Sequence, residues 1–128
     1  MHKVLIIGCG GFLGAISRYG VGWLYAKVLP ITTFPYSTFT VNILGCLLFG
    51  IIAGLALERT IITPELKYFL LVGFLGSFTT FSTYSFDSFF LLREGHEFVM
   101  LLNVVLQTVL GIFVAALGYD FAQRLLGH

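Results

Sequence analysis

Charge is what this sequence has least of. Asp, Glu, Lys and Arg make up 10% of its 128 residues, against about 25% in ordinary soluble domains. The shortage is also uneven. No acidic residue precedes Glu58, and His2, His96 and His128 all stand outside the apolar runs. A serine or threonine inside those runs therefore has no neighbouring base to activate it, and no enzyme is expected. Nothing in the charge pattern invites nucleic acid. Proline is limited to Pro30, Pro35 and Pro64, all in connections where a missing amide hydrogen does no harm. Cys9 and Cys46 sit inside apolar runs without a His neighbour, which suits small-residue packing better than a disulfide or a metal site. No internal repeat or low-complexity segment is legible.

What fills the chain is apolar. Hydrophobic residues are 58% of it, mean hydropathy is +0.98, and there are 14 Phe and 15 Gly. Glycine at close helix contacts is common in lipid. The charges fall into clusters, and the stretches between them are long enough to cross a hydrocarbon core, which takes about 20 residues. The pattern predicts an all-α membrane protein of four transmembrane helices, approximately Val4–Lys27, Tyr36–Leu57, Glu65–Leu92 and Phe98–Arg124. Residues 1–128 then form a single transmembrane domain with no room for a soluble one, multi-pass in the cell (inner) membrane. So thin a bundle encloses an aqueous path poorly, which argues for a small oligomer. Lys3, Arg59, Lys67 and Arg124 lie on the side holding both termini, against Lys27 and Arg93 on the other. Such a mild bias is compatible with a fixed orientation, termini in the cytoplasm, and with insertion both ways.

Two amino-terminal patterns mislead. Val4 to Gly14 imitates a strand followed by a dinucleotide-binding glycine turn, but the acidic residue such a site needs about 20 positions on is missing. Ile6-Ile7-Gly8-Cys9 imitates a lipoprotein cleavage site, but the apolar run before it is far shorter than the roughly 7–15 residues of a signal core. The glycines read better as helix-packing surfaces: Gly10 with Gly14, Gly11 with Ala15, and Gly50 with Gly54.

The polar residues inside the spans carry the functional signal. From Ser77 to Ser85, seven of nine side chains bear a hydroxyl, interleaved with Phe78, Phe81 and Tyr84. Polar groups at membrane depth must find partners. Gly73, Gly76 and the hydroxyl run invite a break in the third helix, since Gly leaves helical angles cheaply and Ser or Thr can bond freed backbone. Non-helical backbone there is tolerated only when buried in protein or lining a cavity. Carbonyls turned out at such a break suit a cation; hydroxyls, amide hydrogens and aromatic ring edges suit an anion. Phe81 and Tyr84, three apart, share a face, and so do Asn103 and Gln107, four apart with Gly111 beyond. Asn42 lies inside the second helix with Thr38 and Gly45 on its face. Its amide serves equally as an interhelical bond or as a pair of anion donors. Arg18 is the basic residue well inside a span. It reads either as the floor of an aqueous vestibule or as a structural Arg bonded to carbonyls.

Three motifs in order resemble the Fluc (CrcB) fluoride-channel family. They are Gly10-Gly11-Phe12-Leu13-Gly14-Ala15-Ile16-Ser17-Arg18-Tyr19, Thr40-Val41-Asn42-Ile43-Leu44-Gly45, and Gly73 through Ser85. The resemblance implies a four-helix subunit in an antiparallel, dual-topology homodimer with two separate pores for passive fluoride export, and a third helix broken near the membrane centre. It also implies a structural Na⁺ at the dimer centre, held by the carbonyls of Gly76 and Thr79. Asn42 would be a pore-lining donor, Phe81 a member of the aromatic pair facing fluoride, and Arg18 a vestibule residue. Ser82 and Thr83 join the pathway as nearby hydroxyls, and Asn103 and Gln107 as its polar track.

The chain departs from that pattern at three places. Tyr84 stands where the family usually has Phe, the fourth helix carries amides where hydroxyl residues are common, and Asp87 takes a position that is often a longer acid. The chemistry fits the resemblance. Fluoride is tightly hydrated, and neutral donors bind it without the trapping a full charge would cause. One rival is a small dual-topology multidrug exporter, which needs a membrane-embedded carboxylate in the first helix; none is present here. Another is a non-conducting membrane assembly subunit, in which the hydroxyl run is interhelical glue.

Overall fold

A computed structural model describes residues 1–57 and 61–127. The Glu58–Arg59 pair and His128, which enter the charge pattern, lie outside the described residues. Every regular element among the described residues is helical. Helix α1 is His2–Val28 and α2 is Tyr36–Leu55. The third span, Pro64–Arg93, divides into α3 (64–78) and α4 (Phe81–Arg93), and the fourth span is α5, Glu97–Leu125. All four spans are long and apolar enough to cross a membrane, so this is a multi-pass membrane protein. The expected limits hold to within a few residues. Pro64 is not in a connection but opens α3, with Thr63 accepting from the Leu66 amide at 3.3 Å. A first-turn proline costs nothing, because its missing hydrogen is one the helix leaves unpaired anyway.

The spans pair by alternate number. Successive crossings make neighbours in sequence antiparallel, so the first and third run parallel, as do the second and fourth. A Cβ added at Gly10 would stand 3.0 Å from the Phe74 amide nitrogen, and one at Gly14 would stand 3.0 Å from the Phe74 carbonyl carbon. One at Gly73 would meet the Ile7 carbonyl oxygen at 2.6 Å. Here α1 and α3 touch backbone to backbone, which any side chain would prevent. The same holds for α2 on α5, where a Cβ at Gly54 would come within 3.0 Å of the Tyr119 carbonyl. Thus Gly10/Gly14 and Gly50/Gly54 are packing surfaces within the chain itself. Cys46 belongs to that seam, 3.4 Å from where a Cβ of Gly111 would stand, whereas Cys9 is exposed.

A small apolar centre of Val41, Leu71, Leu75 and Phe78 joins α2 to α3. Outside it most large apolar side chains face outward, as lipid permits. Both π-helical stretches, Tyr68–Leu75 and Leu106–Leu110, lie beside the polar residues described below. Such widened turns often accompany functional sites. Gly95, at φ 78°, closes α4. Its amide reaches the Leu92 carbonyl and that of His96 reaches Leu91, so the chain turns at once into α5.

Candidate functional site: an amide chain beside two extended threonines

Thr79 and Thr80 leave helical angles, with ψ 160° at the first and φ −150°, ψ 118° at the second. Their local chemistry makes this tolerable. The Thr80 hydroxyl oxygen accepts from the Thr83 amide at 3.2 Å and so caps α4. The Thr79 hydroxyl donates back to the Leu75 carbonyl at 2.9 Å. In an unbroken helix the Thr80 amide would bond the Gly76 carbonyl; instead it donates to Asn42 Oδ1 at 2.8 Å. The Thr79 carbonyl accepts from Arg18 Nη1 at 3.4 Å, a long bond. Arg18 is therefore held over the end of α3 rather than standing free.

Asn42 is the hub. Its Nδ2 donates to the Thr80 carbonyl at 3.1 Å and to Gln107 Oε1 at 2.6 Å, so both hydrogens of its amide are engaged. Gln107 Nε2 donates to Asn103 Oδ1 at 2.8 Å, Asn103 Nδ2 to Ser88 Oγ at 3.0 Å, and Ser88 Oγ to the Tyr84 carbonyl at 2.8 Å. One directed chain of bonds thus runs from α2 through α5 to α4. Every buried side-chain oxygen and nitrogen among the described residues has a partner, as the cost of an orphan in lipid demands. Asn103 is 0% exposed and carries no contact with open space. The amide donors left over are the second hydrogens of Gln107 and Asn103.

The other predicted residues face outward. Phe81 is 79% exposed, Ser82 and Thr83 are exposed, and Tyr84 is half-buried. The Phe81 and Tyr84 rings lie 5.7 Å apart and tilted by 49°, side by side rather than stacked. Thr83 Oγ1 accepts from Thr80 Oγ1 at 3.0 Å, which leaves its own hydrogen to give. With Asn42, Thr79, Thr80, Gln107 and Cys46, the two rings line an open cleft of about 410 Å³. The structure thus gathers Asn42, Phe81, Tyr84, Thr79 and Gln107 around one cleft. Arg18 touches it through Thr79 and Asn103 through Gln107, while Gly76 sits one turn behind on α3.

Sequence reasoning missed Ser88 and Thr80. Ser88 passes the amide chain on to the Tyr84 carbonyl, and its signal was a small hydroxyl just before the apolar run Phe89–Leu92. Thr80 was visible only as part of the hydroxyl run, because its decisive group is a backbone amide. The Thr38–Asp87 bond, Oγ1 to Oδ2 at 2.7 Å, ties α2 to α4.

The model of the family described as CrcB-like protein, Camphor Resistance (CrcB), matches residues 5–119. Among curated relatives, the "Fluoride-specific ion channel FluC" of Maridesulfovibrio salexigens is 44% identical over 111 residues, 87% of each chain. That of Nitratidesulfovibrio vulgaris is 41% identical over 118 residues, covering 92% of this chain and 94% of its own. That of Salinibacter ruber is 44% identical over 127 residues, covering 99% and 94%. From its first helix to the last turns of its fourth, the chain belongs to the CrcB family.

Proposed function

We propose that this protein is a fluoride-selective channel that lets the anion leave the cell passively. The observation that carries the reading is the cleft at the extended threonine pair, which the rings of Phe81 and Tyr84 line together with Thr79, Thr80, Asn42 and Gln107 within the membrane-spanning helices. The relatives named as fluoride-specific channels support the same assignment. Ring edges are the positive rim of the aromatic quadrupole, and neutral donors return hydration energy without holding the ion too tightly. Gln107, in the cleft lining, has a spare amide hydrogen, and Thr83, exposed beside the cleft rather than in its lining, keeps its own hydroxyl hydrogen, while Ser82 donates to Thr80. Asn42 takes part by fixing the Thr80 backbone, since its own hydrogens are engaged inside the subunit.

The same reading takes the extended pair as the break in the third helix and closes the open cleft with a second, oppositely oriented copy, giving two pores per dimer. The exposure of Phe81, Ser82 and Thr83 supports a covering partner. A central Na⁺ fits the residues present. The Gly76 carbonyl has lost its usual amide donor to Asn42, and the Thr79 carbonyl holds only a long bond. Uncharged carbonyl oxygens suit an alkali cation. Bound there, the ion would supply a fixed positive charge near the pathway.

Fluoride efflux from proteoliposomes, read with an ion-selective electrode, tests the central claim. Protein-dependent fluoride release with little chloride release is the expected result; no release from folded protein would refute it. Phe81→Ile, which keeps bulk but removes the ring edge, should abolish most of the flux. One-sided labelling of a cysteine added at the carboxyl terminus should mark about half the molecules in a dual-topology assembly.

A further inference from the structure

A second cavity, of about 330 Å³, lies between the end of α1, the linker before α2 and the middle of α4. Five aromatic residues line it: Tyr25, Phe34, Tyr36, Phe86 and Phe90. Tyr25 and Tyr36 are 6.4 Å apart and nearly parallel, Phe34 tilts against Tyr36 at 4.9 Å, and Phe86 and Phe90 are 6.3 Å apart. Among the described residues, Asp87 is the one charged member of the lining, with no Lys, Arg or His beside it. Thr38 donates to Asp87 Oδ2, and the other oxygen, Oδ1, is not a buried orphan, so the carboxylate of this lining residue keeps an oxygen open to a ligand. The cavity lies by the carboxyl end of the first span and the linker that follows it. Lys27 Nζ sits 5.2 Å over the Trp23 ring on the same stretch of α1, the pairing of a basic and an aromatic anchor.

Aromatic walls around a single carboxylate have one natural ligand class. Anions are repelled by the carboxylate and by ring faces, and small metal ions are too strongly hydrated to rest on rings. An organic ammonium satisfies both features, with its charge on the carboxylate and its methyl or methylene groups on the rings. We propose that this cavity binds an ammonium cation of lipid-headgroup size. The site is separate from the fluoride cleft and does not depend on fluoride conduction.

Calorimetric titration of the detergent-solubilised full-length protein with tetramethylammonium chloride tests it, with sodium chloride as the ionic-strength control. Saturable binding of tetramethylammonium, absent for sodium, is expected. Asp87→Asn keeps an oxygen for the Thr38 hydroxyl but removes the charge, and should weaken binding about tenfold. Tyr36→Leu should weaken it as well while leaving the Thr38–Asp87 bond intact. No saturable heat in the unsubstituted protein, or equal affinity in both variants, overturns the proposal. Native mass spectrometry from nanodiscs distinguishes the sources. Retained phosphatidylethanolamine that tetramethylammonium displaces identifies a lipid headgroup, and binding of the soluble cation with no retained lipid identifies a free amine.

Discussion

Replacing Gln107 by Leu cuts the amide chain at its middle. Two bonds go: the 2.6 Å bond from Asn42 and the 2.8 Å bond to Asn103. The two ends respond differently. Asn42 is only partly buried, and its other hydrogen still has the Thr80 carbonyl. Asn103 is 0% exposed, so its Oδ1 is left with no donor. An orphaned buried acceptor costs about 1–3 kcal/mol, and a lost interhelical bond in a membrane costs about 0.6 kcal/mol on average. Together they give a destabilisation of about 1.5–3.5 kcal/mol. Asn103→Leu should cost a similar amount by stranding Gln107 Nε2. The double variant leaves neither group orphaned, so its loss should fall short of the sum by about 1–2 kcal/mol. Equilibrium unfolding in micelles of rising SDS fraction, followed by the fluorescence of Trp23, measures all four proteins. Additivity to within about 0.3 kcal/mol would refute the directed chain, because independent side chains leave each other's cost unchanged.

Other consequences are as direct. Gly14→Val should prevent stable folding, since a Cβ there runs into the Phe74 backbone, whereas Gly20→Ala, with nothing within 4 Å, should change subunit stability by less than about 1 kcal/mol; thermal melts of the purified variants compare them. Thr80→Ala removes the cap of α4 and should cost about 1 kcal/mol, with Thr80→Ser restoring most of it in the same melts. Arg18→Ala loses a long charged bond to the Thr79 carbonyl and should destabilise by about 1 kcal/mol. An unchanged melt would mean that Arg18 contributes nothing through Thr79.

Different parts of this molecule were legible to different degrees. The four spans follow from where charges are missing, because lipid makes charge distribution nearly equivalent to topology. The Asn103–Gln107 pair is legible because residues four apart on one helix must adjoin. Gly10/Gly14 announced a packing surface, but not that α3 would occupy it, since small residues specify closeness and not a partner. The link from Asn42 to Gln107 spans 65 positions and depends on how α2 meets α5, which no local spacing reveals. The Thr80 amide is still less visible, for a backbone group leaves no mark on composition. Tyr84 is one of the three departures from the family's pattern. Its ring lines the cleft, while its carbonyl ends the amide chain, a role that any residue type at that position would fill equally well.

The pairing of alternate spans has a consequence for how the chain is made. When α1 and α2 emerge, the surfaces prepared by Gly10, Gly14, Gly50 and Gly54 face nothing, because their partners have not yet been synthesised. The first hairpin must wait in the bilayer with its tightest seams unfilled, and α2 waits longest, until the fourth span arrives. Assembly is therefore stepwise: the seam of α1 can close once the third span arrives, and that of α2 only after the fourth. A nascent chain cut short before α5 would keep its first three spans but leave the Gly50/Gly54 stripe of α2 open to whatever helix came next.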